Sequence, residues 1–224
     1  MTEDRKSFGY AQDRSFGYAQ GKPFVVVEGG SGSGKTTAIK GIKPHLEGWK
    51  FLIEPGGTDF GELMRIAVQE RKDLEIDPMA AFMAYSASRA NLVNLEILPI
   101  LTGIKSGQGV FLDRYWFSSY AYQGSEKVSK AVIMQISREA TGGLMPDLVL
   151  HFDLVPELAI LRKEGCADVD RYDLKELSFH ARVRDAYLEL SAQYPEIWMV
   201  IDASQSQEQV LADCLSVLRE REMV

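Results

Sequence analysis

The chain has 224 residues, of which 46% are hydrophobic and 25% charged, and this suits a globular protein with one α/β domain or two small ones. Its formal net charge of −7 argues against a nucleic-acid polymer as partner, which needs a basic face, but permits an anionic small substrate. No apolar run reaches the ~18 residues of a membrane span and no signal core is present, so we expect a cytoplasmic protein in which Cys166 and Cys214 stay reduced.

The first 22 residues differ from the rest of the chain. The six-residue unit Ser-Phe-Gly-Tyr-Ala-Gln occurs at 7–12 and again at 15–20. Repeat folds need about three or more units to bury a core, so two copies do not form one. We predict a flexible arm at 1–22 and a folded domain at 23–224; the alternative is a docking peptide whose aromatic residues insert into a partner.

Strand and helix patterns alternate from residue 24 onward. Short apolar runs predict strands at 24–27, 50–53, 110–112, 148–152 and 198–201, and longer periodic segments predict helices at 78–104, 174–194 and 207–221. This alternation is typical of a parallel sheet with helices on both faces. We therefore predict an α/β three-layer sandwich with a five-stranded parallel sheet, whose ligands bind at the carboxyl ends of the strands.

A glycine-rich turn follows the first predicted strand and fits G-x-x-x-x-G-K-[ST]. Its residues are Gly29, Gly30, Ser31, Gly32, Ser33, Gly34, Lys35 and Thr36. Such a turn curves backbone N–H groups around phosphate oxygens and leads into a helix whose positive end faces the anion. This P-loop predicts ATP binding, with Lys35 on the β- and γ-phosphates, Thr36 on Mg²⁺, and Thr37 beside it in the first helical turn.

Asp113 and Arg114 directly follow the predicted strand at 110–112. A carboxylate at this end of a strand can hold Mg²⁺ or its waters, and an adjacent arginine can bind a phosphoryl group through two hydrogen bonds. The chain has no N-K-x-D guanine motif, which argues against a GTPase. Position therefore predicts catalytic roles for both residues.

The segment from Asp113 to Gly124, D-R-Y-W-F-S-S-Y-A-Y-Q-G, resembles a signature of the thymidylate kinase family. Further segments resemble the same family in the same order: E-G at 28–29, E-P-G-G-T at 54–58, Y-S-A-S-R at 85–89, D-L-V-P-E at 153–157, D-R-Y-D at 170–173 and I-D-A at 201–203. The resemblance runs from about residue 24 to the C-terminus. It implies a P-loop kinase fold with a short lid at about 162–173.

The same resemblance implies an ATP- and Mg²⁺-dependent kinase that converts dTMP to dTDP and forms a homodimer. It places Tyr85 on thymine, Arg89 on the base and acceptor phosphate, Ser119 on the base, Tyr122 against the sugar 2′ position and Arg114 on the acceptor phosphate. The remaining substrate-binding residues that it implies are Glu54, Pro55, Ser118 and Gln123.

The lid departs furthest from the family pattern. Glu164 and Cys166 stand where arginines are expected, which leaves Arg162, Lys163 and Arg171 as the basic residues of the lid. Of these, Arg162 and Arg171 are the predicted catalytic residues. Ser31 and Ile53 also replace family residues. Two alternatives therefore stay open: a kinase for another nucleoside monophosphate, and a nucleotide-binding regulatory protein with weak transfer activity.

Overall fold

The computed structural model describes residues 21–164 and 170–224. Most of the predicted arm at 1–22 lies outside the described residues, as does the central part of the predicted lid, including Cys166. The boundary between arm and domain therefore stays a prediction.

Five strands form one parallel sheet in the order β2-β3-β1-β4-β5 within the described chain. They are β1 (Phe24–Gly29), β2 (Lys50–Ile53), β3 (Val110–Asp113), β4 (Leu148–Asp153) and β5 (Trp198–Asp202). All five strand predictions are confirmed, each to within two residues. The central strand β1 is buried along its whole length, as the continuous apolar run predicts.

Helices cover both faces of this sheet and confirm the three-layer α/β sandwich. They are α1 (Lys35–Ile42), α2 (Asp59–Arg65), α3 (Pro78–Leu92), α4 (Leu98–Leu101), α5 (Trp116–Ser125), α6 (Lys130–Thr141), α7 (Pro156–Lys163), α8 (Leu177–Gln193) and α9 (Gln207–Glu220). Alternate residues of each strand point to opposite faces. Phe24 and Val26 accordingly pack in a core with α3, α5 and α8, whereas Val25 and Val27 pack in a second core with α1 and α9.

The predicted helix at 78–104 is interrupted rather than continuous. Five residues, Val93–Ile97, form a π-helical segment between α3 and α4. The cause is Pro99, which has no N–H and whose ring crowds the carbonyl four residues earlier. That carbonyl, on Leu95, instead accepts a hydrogen bond from Lys105 Nζ at 2.7 Å.

Cys214 lies in the second core on α9, where burial raises the pKa of its thiol to about 12. It behaves as a small apolar side chain at neutral pH. Among the described residues, no helix has the length and apolar character needed to cross a membrane.

Candidate active site

The P-loop connects the carboxyl end of β1 to the first turn of α1. Its backbone takes positive φ angles at Gly29 (145°), Gly32 (73°) and Gly34 (86°), which L-residues with a side chain rarely adopt. Lys35 begins α1, and Gly34 precedes it without a side-chain cap. The uncapped N–H groups of this first turn are therefore available to an anion.

Two glycines of the P-loop are also required by close neighbours. A Cβ on Gly29 would lie 2.6 Å from the carbonyl oxygen of Phe152, and a Cβ on Gly32 would lie 2.5 Å from that of Ala159 in α7. Gly30 has no atom within 4 Å of such a Cβ and no positive φ. The approach of α7 therefore restricts position 32 to glycine.

We expect Gly32→Ala to destabilise the protein by about 1–3 kcal/mol, because the new methyl group needs both a strained φ angle and a shift of α7. Gly30→Ala is the matched control, and it should change stability by less than ~1 kcal/mol. Urea denaturation of both variants measures the difference. Equal midpoints would contradict the contact with α7.

Lys35 folds back onto the P-loop and is buried. Its ammonium donates to the carbonyl oxygens of Gly29 (2.9 Å) and Gly30 (2.8 Å) and to Ser33 Oγ (3.3 Å). Burial, reinforced by the positive charge of Arg114, lowers the pKa of Lys35 to about 7. A phosphate group would add negative charge beside this ammonium, so Lys35 is positioned to bind an anion.

The predicted magnesium residues lie at the ends of neighbouring elements. Thr36 and Thr37 are exposed at the start of α1, and Asp113 ends β3 next to Val27 of β1. Asp113 Oδ1 is buried and has no hydrogen-bond partner. Within the described chain, no three His, Cys, Asp or Glu side chains form a metal site. A carboxylate with one unpartnered oxygen and one hydroxyl fit Mg²⁺, which takes few protein ligands and completes its shell with phosphates and water.

Arg114 lies between the P-loop and the neighbouring cleft. Its backbone takes a φ of 72°, an unfavourable conformation for an arginine that the surrounding contacts maintain. Its Nη1 donates to Gly29 O (3.1 Å), Ser118 Oγ (3.0 Å) and Tyr187 Oη (3.4 Å). The guanidinium also lies 5.4 Å from the ring centroid of Tyr122.

A buried glutamate, Glu28, fixes this arrangement, and sequence reasoning assigned it no role. Its carboxylate accepts hydrogen bonds from Tyr115 N (2.8 Å), Ser118 Oγ (2.7 Å) and Tyr187 Oη (2.9 Å). Burial raises the pKa of Glu28, and Arg114 is the main opposing influence. The signal in the sequence was a carboxylate within an otherwise apolar central strand.

A cleft opens beside Arg114. All the substrate-binding residues predicted from the sequence line it: Glu54, Pro55, Tyr85, Arg89, Arg114, Ser118, Ser119, Tyr122 and Gln123. Four further residues complete the lining: Gln69, Tyr115, Asp170 and Tyr172. The cleft therefore has a charged wall, an aromatic wall and a contribution from the end of the lid.

The charged wall is a buried ion pair between Glu54 and Arg89. Arg89 Nε donates to Glu54 Oε1 at 2.5 Å, its Nη2 also contacts that oxygen, and Nη2 donates to Ser119 Oγ at 2.9 Å. Glu54 Oε2 and Arg89 Nη1 are buried without partners. Burial raises the pKa of Glu54 to about 7, opposed by Arg89. Orphaned groups in the wall of a cleft are available to a polar ligand.

The aromatic wall joins the core helices to the lid. Tyr172, which sequence reasoning did not assign to the site, accepts a hydrogen bond from Gln123 Nε2 (2.8 Å) and lies 3.5 Å from Tyr85 Oη. Its ring meets Tyr122 edge-on at 5.2 Å and stacks on Phe179. The sequence feature that pointed to this role is the position of Tyr172 within the D-R-Y-D segment at 170–173.

The two predicted catalytic arginines of the lid each contact a backbone carbonyl outside the P-loop. Arg162 Nη1 donates to Ala203 O at 2.9 Å, and Arg171 Nη1 donates to Val68 O at 3.4 Å. Both thus contact backbone carbonyls of other segments. Their catalytic role stays a prediction.

A phosphate-binding loop, a shared arginine and an adjoining polar and aromatic cleft can together bind a nucleoside triphosphate and a nucleoside monophosphate. A family model described as thymidylate kinase matches residues 27–214. A thymidylate kinase of Caldanaerobacter subterraneus is 41% identical over 183 residues, which cover 80% of this chain and 86% of that protein. A thymidylate kinase of Deinococcus radiodurans is 36% identical over 202 residues, which cover 88% of this chain and 96% of that protein. The chain belongs to the thymidylate kinase family.

Proposed function

We propose that this protein transfers the γ-phosphoryl group of ATP to dTMP and releases ADP and dTDP. The observation that carries the proposal is the position of Arg114. Its guanidinium contacts the P-loop at Gly29 O and also lines the cleft. One cation can therefore bind the acceptor phosphate and the transferring group together, which positions them for direct transfer.

On the donor side, the N–H groups of the P-loop and of the first turn of α1 bind the β- and γ-phosphates of ATP. Lys35 exchanges its carbonyl partners for phosphate oxygens. Thr36 and Asp113 are the residues that would hold Mg²⁺, which neutralises the charge shared by the β- and γ-phosphates when it is bound.

On the acceptor side, Arg114 and Arg89 orient the phosphate of dTMP. An oxygen of this phosphate attacks the γ-phosphorus, and the bond from that phosphorus to the β,γ-bridging oxygen breaks. The nucleophile is already anionic near pH 7, since the second pKa of a phosphate monoester is about 6. The reaction therefore needs no general base, and the protein contributes positioning and charge.

The remaining cleft residues fit a deoxynucleoside. We assign Tyr85 to stacking on thymine, Ser119 and Gln123 to its polar edge, and Tyr122 to the sugar. Glu54 orients Arg89, and Ser118 orients Arg114. Pro55 forms part of the cleft wall. Gly29, Gly30, Ser31, Gly32, Ser33, Gly34 and Thr37 remain our proposed contacts for ATP.

A coupled ADP-release assay with dTMP, dUMP, dCMP, dAMP and dGMP tests the proposal. We expect the highest kcat/KM for dTMP. A higher value for another monophosphate would identify a kinase for that nucleotide. Tight ATP binding without turnover on any of the five would favour a regulatory protein instead.

We predict a preference for dTMP over the ribose form of TMP, because the buried ring of Tyr122 would crowd a 2′-hydroxyl. Tyr122→Ala should narrow the ratio of the two kcat/KM values severalfold, whereas Tyr122→Phe keeps the ring and should preserve it. Steady-state kinetics with both nucleotides measures the ratio. An unchanged ratio in Tyr122→Ala would remove this residue from sugar selection.

A homodimer in the cytoplasm is part of the proposal. Apolar side chains are exposed on α2 and α3, among them Leu63 (62%), Met83 (49%) and Phe60 (42%), and such patches often mark interfaces. Light scattering should give twice the monomer mass, and Met83→Glu should lower it. Val200→Glu, on the edge strand β5, is the control.

A further inference from the structure

The described part of the lid contains three basic residues, and they point in different directions. Arg162 contacts the segment after β5 through Ala203 O, and Arg171 contacts Val68 O after α2. Lys163 is oriented otherwise. Its ammonium pairs with Asp173 Oδ2 at 3.0 Å, and the two side chains are 27% and 5% exposed.

Helix α7 presents Lys163 toward the P-loop. The carbonyl of Ala159 lies against Gly32, within 2.5 Å of the position of a Cβ there. Ala159 and Lys163 are four residues apart and share one face of α7.

Asp173 is held between the lid and the P-loop. Its Oδ2 accepts a hydrogen bond from Asp170 N at 2.9 Å, and Asp170 Oδ1 in turn accepts from the backbone N–H of Asp173 at 3.0 Å. Burial alone would raise the pKa of the Asp173 carboxyl, and the nearby Ser31 hydroxyl is the main influence that lowers it. A carboxylate at position 31 would repel Asp173, so a hydroxyl there permits this approach.

We infer that Lys163 is the lid cation that binds the transferring phosphoryl group, and that Asp173 and Ser31 are the residues that position it. This inference rests on the proposed kinase function. An ammonium carries three donors, so Lys163 can keep its bond to Asp173 and donate to a phosphoryl oxygen at the same time. Lys163 would thereby supply the cation of the lid, whereas Arg162 and Arg171 contact carbonyls of other segments.

The test compares single variants in the ADP-release assay with dTMP. We expect Lys163→Met to lower kcat about 10²-fold, with the KM for dTMP within about threefold of wild type, because the interaction belongs to the transition state. Lys163→Arg should restore part of the loss. Lys175→Met removes an exposed lysine that pairs with Glu126, and is the control for a change of charge near the lid.

The variant Asp173→Asn tests whether Asp173 positions Lys163 or only stabilises the fold. It should lower kcat about tenfold at an unchanged melting temperature, and it should weaken binding of ADP, aluminium fluoride and dTMP as a complex more than binding of ADP alone. Larger losses in Arg162→Met and Arg171→Met than in Lys163→Met would overturn the inference. So would full activity of Lys163→Met in an active wild-type background.

A wild type that turns over no nucleoside monophosphate would refute the proposed function, and this inference with it. An active wild type with an equally active Lys163→Met variant would refute the inference alone.

Discussion

Lys35→Ala should lower kcat with dTMP about 10²–10³-fold, the usual cost of removing one preorganised donor from a charge-developing transition state. Lys35 is the only lysine of the P-loop sequence, and its ammonium is already held at the turn by Gly29 O and Gly30 O. The fold should survive, because burying the Lys35 ammonium costs free energy, as the lowered pKa of Lys35 indicates.

Stopped assays and thermal melts of the same preparation measure both effects. Lys40→Ala, in the last turn of the same helix and exposed, is the matched control and should keep full activity. Wild-type turnover in Lys35→Ala would refute the assignment of this loop to phosphate transfer. A melting temperature lowered by more than ~5 °C would instead show a structural role.

The fold could be predicted because its strands carry a simple signal. Continuous β-branched runs such as that of β1 indicate strands buried on both faces, and alternation with helices implies a parallel sheet. The π-helical segment before α4 could not be predicted from the sequence in this way. It depends on Pro99 and on a lysine, Lys105, that takes over the freed carbonyl of Leu95, and periodicity carries no information about such a contact.

The parts of the site that are local in sequence could also be predicted. The P-loop and Asp113-Arg114 are each a few consecutive residues whose role follows from their position after a strand. Contacts between distant segments could not be. Glu28 and Tyr187 are 159 residues apart in sequence, and no spacing rule pairs them. The packing of α8 on α5 brings them together.

The lid shows the same limit in another form. Counting arginines in the sequence favoured Arg162 and Arg171, since charge type and motif position were the only available criteria. The direction of each side chain depends on where α7 and the segment after residue 170 meet the P-loop. Only that geometry brings Lys163 to Asp173.

Arg89→Met should lower kcat/KM for dTMP at least ~10²-fold and leave the KM for ATP nearly unchanged. Arg89 lines the acceptor cleft with an unpartnered Nη1, and hydrogen bonds to charged groups contribute about 1.5–3 kcal/mol each. The same change leaves the Glu54 carboxylate buried without its cation. Removal of one partner of a buried pair costs about 3–5 kcal/mol of stability.

A double variant, Glu54→Gln with Arg89→Met, distinguishes the two effects. It should regain most of the lost stability, because no uncompensated charge stays buried, but not the lost activity, because no cation faces the acceptor phosphate.

The pH dependence of stability supplies a second criterion. With Arg89 absent, the pKa of Glu54 stays above its value in the unfolded chain, so the folded state binds more protons and the stability of Arg89→Met should fall as the pH rises from 5 to 8. The double variant lacks this carboxylate and should lose that dependence. Recovery of activity together with stability would mean that Arg89 serves the fold alone and that another residue binds the acceptor phosphate.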